Sequence, residues 1–193
     1  MKKTGLYFGS FNPIHNGHLT LGHYFLKNSP LDEIRFIISP QNPLKRNQNL
    51  LPEKARLEMV RCAIEELAGF SYSTIEFELS KPNYTYDTLK FITQKEPLTI
   101  FSLLMGEDNL AFFHQWKNFT EILELVTLYI YPRANSEPAV DAFSNHPKIK
   151  WFKAPILDFS ATDIRERIHL GKTIAHLVPD AVRKEIQAKQ YYS

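Results

Sequence analysis

The short apolar run Thr4–Phe8 passes directly into Gly9-Ser10-Phe11-Asn12-Pro13-Ile14-His15-Asn16-Gly17-His18, and no other stretch constrains the chain as much. An apolar run of this length, then Gly and Pro, then a helical pattern over Gly17–Leu26, reads as buried strand, tight loop and helix. Such a junction aims unpaired helix N–H groups and the positive end of the helix dipole just beyond the strand, where phosphate oxygens are favoured. Gly9 is expected to adopt a conformation other residues avoid and to let a ligand approach the backbone. Ser10 offers a hydroxyl and nearby N–H donors, and Gly17 is expected to keep a side chain out of a ligand's way. His15 and His18 are three apart and share one face of the first helical turn. Two imidazoles there can donate to charge that builds on a phosphorus centre during in-line displacement. A purely structural histidine pair and a zinc site are the competing readings, but no acidic or Cys ligand lies nearby in sequence. The Gly-x-Gly-x-x-Gly dinucleotide fingerprint is absent.

The rest of the chain alternates in the same way. Ile34–Ser39 reads as a second strand, ending in the loop 40–47. Pro52 suits the first position of a helix carrying Glu53–Leu67. Ser73–Leu79 alternates polar and apolar residues like a strand with one buried face. Asp87–Thr93 reads as helix, Leu98–Met105 as a central strand, Phe119–Leu125 as helix and Thr127–Tyr131 as strand. Pro132–Lys148 is polar and proline-punctuated and is expected to be the most mobile loop. Ile149–Phe152 reads as a last short strand, with helices over Thr162–His169 and Pro179–Gln190. This order predicts an α/β fold, a Rossmann-like doubly wound parallel sheet with helices on both faces. Residues 1–193 are expected to form one domain, with a helical part at about 160–193 packed on it. Ligands of such a sheet bind beyond the carboxyl ends of the strands, at the topological switch point.

Composition removes several alternatives. A net charge of +2 with both signs interspersed lacks the basic stripe of a nucleic-acid binder, so no polymer partner is expected. The single cysteine, Cys62, excludes an intrachain disulfide; its helical setting reads as a small core residue. No stretch has the length of a membrane span or the form of a signal peptide, so a cytoplasmic protein is expected.

Near the far end, Phe159-Ser160-Ala161-Thr162-Asp163-Ile164-Arg165 opens a helix with Ser160 as a plausible N-cap. Arg165 can present a permanent charge to anionic oxygens, although an isolated segment of this kind is usually an ordinary capped helix.

Together these segments carry a resemblance. Gly9–His18 is similar to the Gly-x-Phe-x-Pro-x-His-x-Gly-His signature of the HxGH-type nucleotidyltransferase superfamily, and Phe159–Arg165 to its Ile-Ser-Ser-Thr-x-Ile-Arg signature. The chain most resembles the bacterial nicotinate-nucleotide adenylyltransferases. It departs from them at Phe8, commonly Gly; at Asn12, commonly Asp; at Phe159 and Ala161; and at Pro132-Arg133-Ala134, where Arg-Pro-Gly is usual. The similarity runs through nearly the whole chain, ending in Gly171, Leu177-Val178-Pro179 and Val182.

The resemblance implies transfer of AMP from ATP to nicotinate mononucleotide, giving nicotinate adenine dinucleotide and pyrophosphate, without a covalent intermediate. It implies catalytic roles for His15, His18, Lys45 and Arg165. ATP would meet Gly9, Ser10, Phe11, Gly106, Asp108, Ser160 and Thr162 as well as the histidines and Arg165. The mononucleotide would meet Lys45, Thr85, Tyr86, Trp116, Lys117 and Arg133, with Trp116 stacked on the pyridine ring and Arg133 on the phosphate. Mg²⁺ would arrive with ATP, held by phosphates and water rather than by protein side chains. The same chemistry on nicotinamide mononucleotide or pantetheine phosphate is the near alternative. A non-catalytic nucleotide-binding module is the distant one.

Overall fold

The computed structural model describes residues 1–40, 50–133, 143 and 145–193. Among them a six-stranded sheet runs in the order β3-β2-β1-β4-β5-β6, with each neighbouring pair parallel. The strands are β1 (Lys2–Gly9), β2 (Glu33–Ile38), β3 (Phe70–Ser73), β4 (Thr99–Gly106), β5 (Thr127–Tyr131) and β6 (Ile149–Trp151). This is the doubly wound order, and it reverses direction between β1 and β4.

Side-chain alternation along the strands divides the apolar residues into two cores. Tyr7, Phe36, Leu104 and Tyr131 face one side, where α1 (Asn16–Asn28) and α2 (Glu53–Ile64) supply Leu21, Phe25, Met59 and Val60. Leu6, Ile37, Leu103 and Ile130 face the other, against Leu89 and Ile92 of α4 (Thr85–Lys95) and Ile122 of α6 (Phe119–Leu125). Near-continuous apolar strands are what burial on both faces demands. The terminal helices α7 (Ala161–His169) and α8 (Asp180–Lys189) bury Ile164, Val182 and Ile186 in the first core. No helix of the described residues is long and apolar enough to cross a membrane.

The expected strand over Ser73–Leu79 is not what forms. The strand is Phe70–Ser73, and Ile75–Glu78 makes a helical turn, α3. Register with β2 begins at Phe70, whose ring stacks on Phe36 at 5.9 Å, and pairing ends at Ser73, the first residue of the alternating stretch. In α3 both Ile75 and Glu76 are buried, and Thr88 donates to the Glu76 carboxylate at 2.7 Å. A tertiary partner thus overrides a short period-two pattern. Cys62 also departs from its expected core position. It is half-buried, off the stripe that α2 buries, with its thiol 3.7 Å from Glu58 and its pKa raised, mainly by burial. Pro52 precedes the helix rather than opening it. Most of the stretch 132–148 lies outside the described residues.

Candidate active site

The carboxyl ends of β1 and β4 flank the switch point, and Gly9, which closes β1, and Gly106, which closes β4, lie there. The Gly9 carbonyl accepts from Ser39 N–H at the end of β2. The left-handed backbone belongs to Phe11 (φ 47°), not to Gly9 as expected. Gly9 is needed for a different reason: a Cβ there would stand 2.9 Å from the Phe11 ring. That ring is buried between Phe36 and His18, leaving only the Phe11 main chain to meet a ligand.

His15 caps α1, and its ring stacks on His18 with centroids 3.7 Å apart. The His15 backbone N–H donates to His18 Nδ1 at 3.2 Å. Nδ1 is therefore an acceptor, and neutral His18 carries its proton on Nε2. Burial lowers the pKa of His15 to about 4, with Arg133 adding to the shift; burial, His15 and Arg133 lower that of His18 well below its ordinary value. Both rings are neutral near pH 7 and can donate hydrogen bonds without adding a full charge. The His15 Nδ1 atom is buried without a partner. Gly17 also makes room for this arrangement, since a Cβ would press on Leu157 and on His15 Nδ1 at 2.9 Å.

Ser160 is the N-cap of α7, in a capping box with Asp163: its N–H and hydroxyl both lie 2.6 Å from the Asp163 carboxylate. One turn on, Arg165 Nη2 donates to Thr162 Oγ1 at 3.1 Å and Nη1 to the Asn12 carbonyl at 2.8 Å. The two signatures are thus in direct contact.

On the β4 side, Gly106 leads into the short helix α5 (Glu107–Leu110). A Cβ on Gly106 would strike the Asp108 carboxylate and crowd Arg133, which follows β5. These two, expected to serve different ligands, face each other with Arg133 Nε 3.6 Å from Asp108 Oδ1. Thr85 and Tyr86 open α4, whose N-cap, Tyr84, makes no side-chain cap bond. Trp116 is half-buried, edge-on to Phe113 at 5.6 Å. Lys117 bridges to α4, pairing with Asp87 at 2.8 Å and lying 4.8 Å above the Tyr84 ring. Lys45 lies outside the described residues.

Contacts made by Arg56, Asn12, Tyr7 and Tyr131 went unread in the sequence. Arg56 is 1% exposed and sends its guanidinium to four main-chain carbonyls around the turn. The Asn12 side chain accepts from Leu51 N–H at 3.2 Å and from the Tyr192 hydroxyl at 2.8 Å. Tyr7 and Tyr131 place their buried hydroxyls 3.3 Å apart beneath the histidines. Arg56 alone left a trace in the sequence: it falls at the same helical spacing as Met59, Val60 and Ala63, a charge on an apolar stripe.

A family model described as cytidylyltransferase-like matches residues 6–167. A "Probable nicotinate-nucleotide adenylyltransferase" of Flavobacterium psychrophilum is 45% identical over 98% of this chain and 98% of its own. One of the same description from Cytophaga hutchinsonii is 46% identical over 99% of this chain and 98% of its own. Among solved structures, the Plasmodium falciparum nicotinic acid mononucleotide adenylyltransferase complexed with NaAD superposes with a TM-score of 0.82 at 18% identity, covering 100% of this chain and 98% of the other. At that identity the likeness speaks to the fold.

Proposed function

The chain belongs to the nicotinate-nucleotide adenylyltransferases, within the cytidylyltransferase-like family, and from that premise we propose how its residues divide the work of joining nicotinate mononucleotide to the AMP part of ATP. A phosphate oxygen of the mononucleotide attacks the ATP α-phosphorus. The new P–O bond forms in line as the bond to the β-phosphate oxygen breaks, and pyrophosphate leaves with that electron pair. The observation that carries the assignment is the stacked, neutral His15–His18 pair at the start of α1, tied through Asn12 to Arg165.

In this reading His15 and His18 donate N–H bonds to the α-phosphate oxygens as charge accumulates, and do not exchange protons with the reactants. Arg165, with Ser160 and Thr162 beside it, steadies the departing pyrophosphate. The main chain from Gly9 to Phe11 cradles the phosphates. Gly106 and Asp108 take the ATP ribose. Thr85, Tyr86, Trp116 and Lys117 hold the pyridine end, Arg133 the mononucleotide phosphate, and Lys45 reaches the phosphates. Imidazole N–H and guanidinium donors suit phosphate oxygens rather than a hard cation. Among the described residues no three His, Cys, Asp or Glu side chains gather as a metal cage. Mg²⁺ is therefore proposed to travel on the ATP phosphates with water completing its shell, and no step is assigned to it. Residues 1–193 are taken as one nucleotidyltransferase domain, supported by the burial of Ile164, Val182 and Ile186 in the core that α1 and α2 share; a cytoplasmic location is part of the same proposal.

The test is pyrophosphate release from ATP and Mg²⁺ with nicotinate mononucleotide and nicotinamide mononucleotide in parallel. Release with the acid alone is expected. Comparable release with both would overturn acid selectivity, and ATP binding without release in either tube would overturn the enzymatic reading.

A further inference from the structure

Arg56 occupies a position that packing alone does not explain. Its neighbours on the buried stripe of α2 are Met59, Val60 and Ala63, yet it carries a permanent charge into the interior. Burying a charge is costly unless its donors are matched. Here the match is main chain drawn from three separate segments. Nη1 donates to the carbonyls of Ser10 at 2.6 Å and Ser39 at 2.7 Å; Nη2 donates to Pro40 at 2.8 Å; Nε donates to Leu51 at 3.0 Å.

Ser10 follows β1, Ser39 and Pro40 follow β2, and Leu51 precedes α2, so one planar fork sets the spacing between the ends of two adjacent strands. The bonds close into a ring, because Leu51 N–H returns to Asn12 Oδ1, two residues beyond Ser10. Inside that ring lies Phe11 with its left-handed backbone, and Asn12 is also where Arg165 docks. The buried Ile14 then leads straight to His15.

We infer that Arg56 is a positioning residue for adenylyl transfer, holding the 10–12 turn so that His15, His18 and Arg165 converge on one phosphate. This rests on the reaction proposed above. Lysine cannot replace it: its donors radiate from a single atom and cannot reach four carbonyls in a plane.

The experiment compares Arg56→Lys and Arg56→Gln with the parent and with Met59→Ala, a packing defect on the same helix. The parent's pyrophosphate release is measured first, which tests the reaction independently of Arg56. Turnover is then normalised to the folded fraction measured by circular dichroism at the assay temperature. The expectation for the Arg56 variants is a fall in kcat of about ten-fold or more per folded molecule. KM for nicotinate mononucleotide should stay within about two-fold. Met59→Ala should lower Tm while keeping kcat per folded molecule near the parent's. Arg56 variants that keep parental kcat per folded molecule, or a Met59→Ala variant that loses as much, would reduce Arg56 to a packing role. The glutamine variant keeps the comparison intact if the lysine variant does not fold.

Discussion

Arg165 donates to the main-chain carbonyl of Asn12 at 2.8 Å across 153 positions of sequence. The contact ties the start of α7 to the turn that leads into α1, and so brings the guanidinium to the side of the histidines. Arg165→Lys keeps the charge but loses the paired N–H geometry that reaches Asn12 and Thr162 together. A fall in kcat/KM for ATP of roughly 100-fold is expected, with little change in Tm because the side chain is partly exposed. A lysine variant within a few-fold of the parent in steady-state kinetics would show that charge alone suffices.

On the proposed mechanism, His18→Ala removes a neutral donor to the charge that develops on the α-phosphate. kcat should fall on the order of 100-fold or more, while affinity for ATP, read by calorimetry, changes far less. A well-folded variant with parental turnover would remove His18 from the chemistry.

The pH dependence of stability follows from the direction of the His15 shift. Its pKa in the fold is about 4, below its ordinary value of 6.5, so between these values the unfolded chain takes up a proton that the folded one refuses. The contribution to stability is therefore complete above pH 6.5 and is lost as pH falls toward 4. Relative to His15→Asn, the parent should lose on the order of 2–3 kcal/mol more between pH 7 and pH 4 in urea unfolding. Parallel curves for the two proteins would contradict the buried neutral state. In the same window kcat should show no ionisation from His15 above pH 6.

Trp116 separates ring stacking from packing. Trp116→Phe retains an aromatic face and the contact with Phe113, whereas Trp116→Ala loses both. KM for nicotinate mononucleotide should rise about ten-fold in the alanine variant and only about two-fold in the phenylalanine variant, with kcat near parental in each. Equal KM values in all three proteins would take Trp116 out of the pyridine site.

Legibility in the sequence tracked the range of the interactions involved. The parallel sheet was readable because each central strand writes its burial into consecutive apolar residues. The first signature was readable because glycine, proline and two histidines fall together at a strand-to-helix junction; the second, an ordinary capped helix by itself, was readable only beside it. The strand expected at Ser73–Leu79 failed because Glu76 is held by Thr88, twelve positions away, which no local pattern records. Gly9 was expected to need backbone freedom, but the left-handed residue is Phe11; that Gly9 and Gly17 also make room for the rings of Phe11 and His15 was not legible, because those rings are placed by the fold. Arg56 and Tyr192 were passed over because their partners are main-chain carbonyls and an amide far away in sequence.

By itself, then, the sequence determined the alternation of elements, the position of the turn at Gly9–His18 and the identity of the groups offered there, since these depend on residue type and short spacing. Only the tertiary structure decided that Arg165 meets Asn12, that Arg133 faces Asp108, and that burial keeps both histidines neutral. Desolvation and long-range hydrogen bonds depend on what surrounds a group in space, and that is settled only when α2, α7 and the carboxyl ends of β1 and β2 close around the turn.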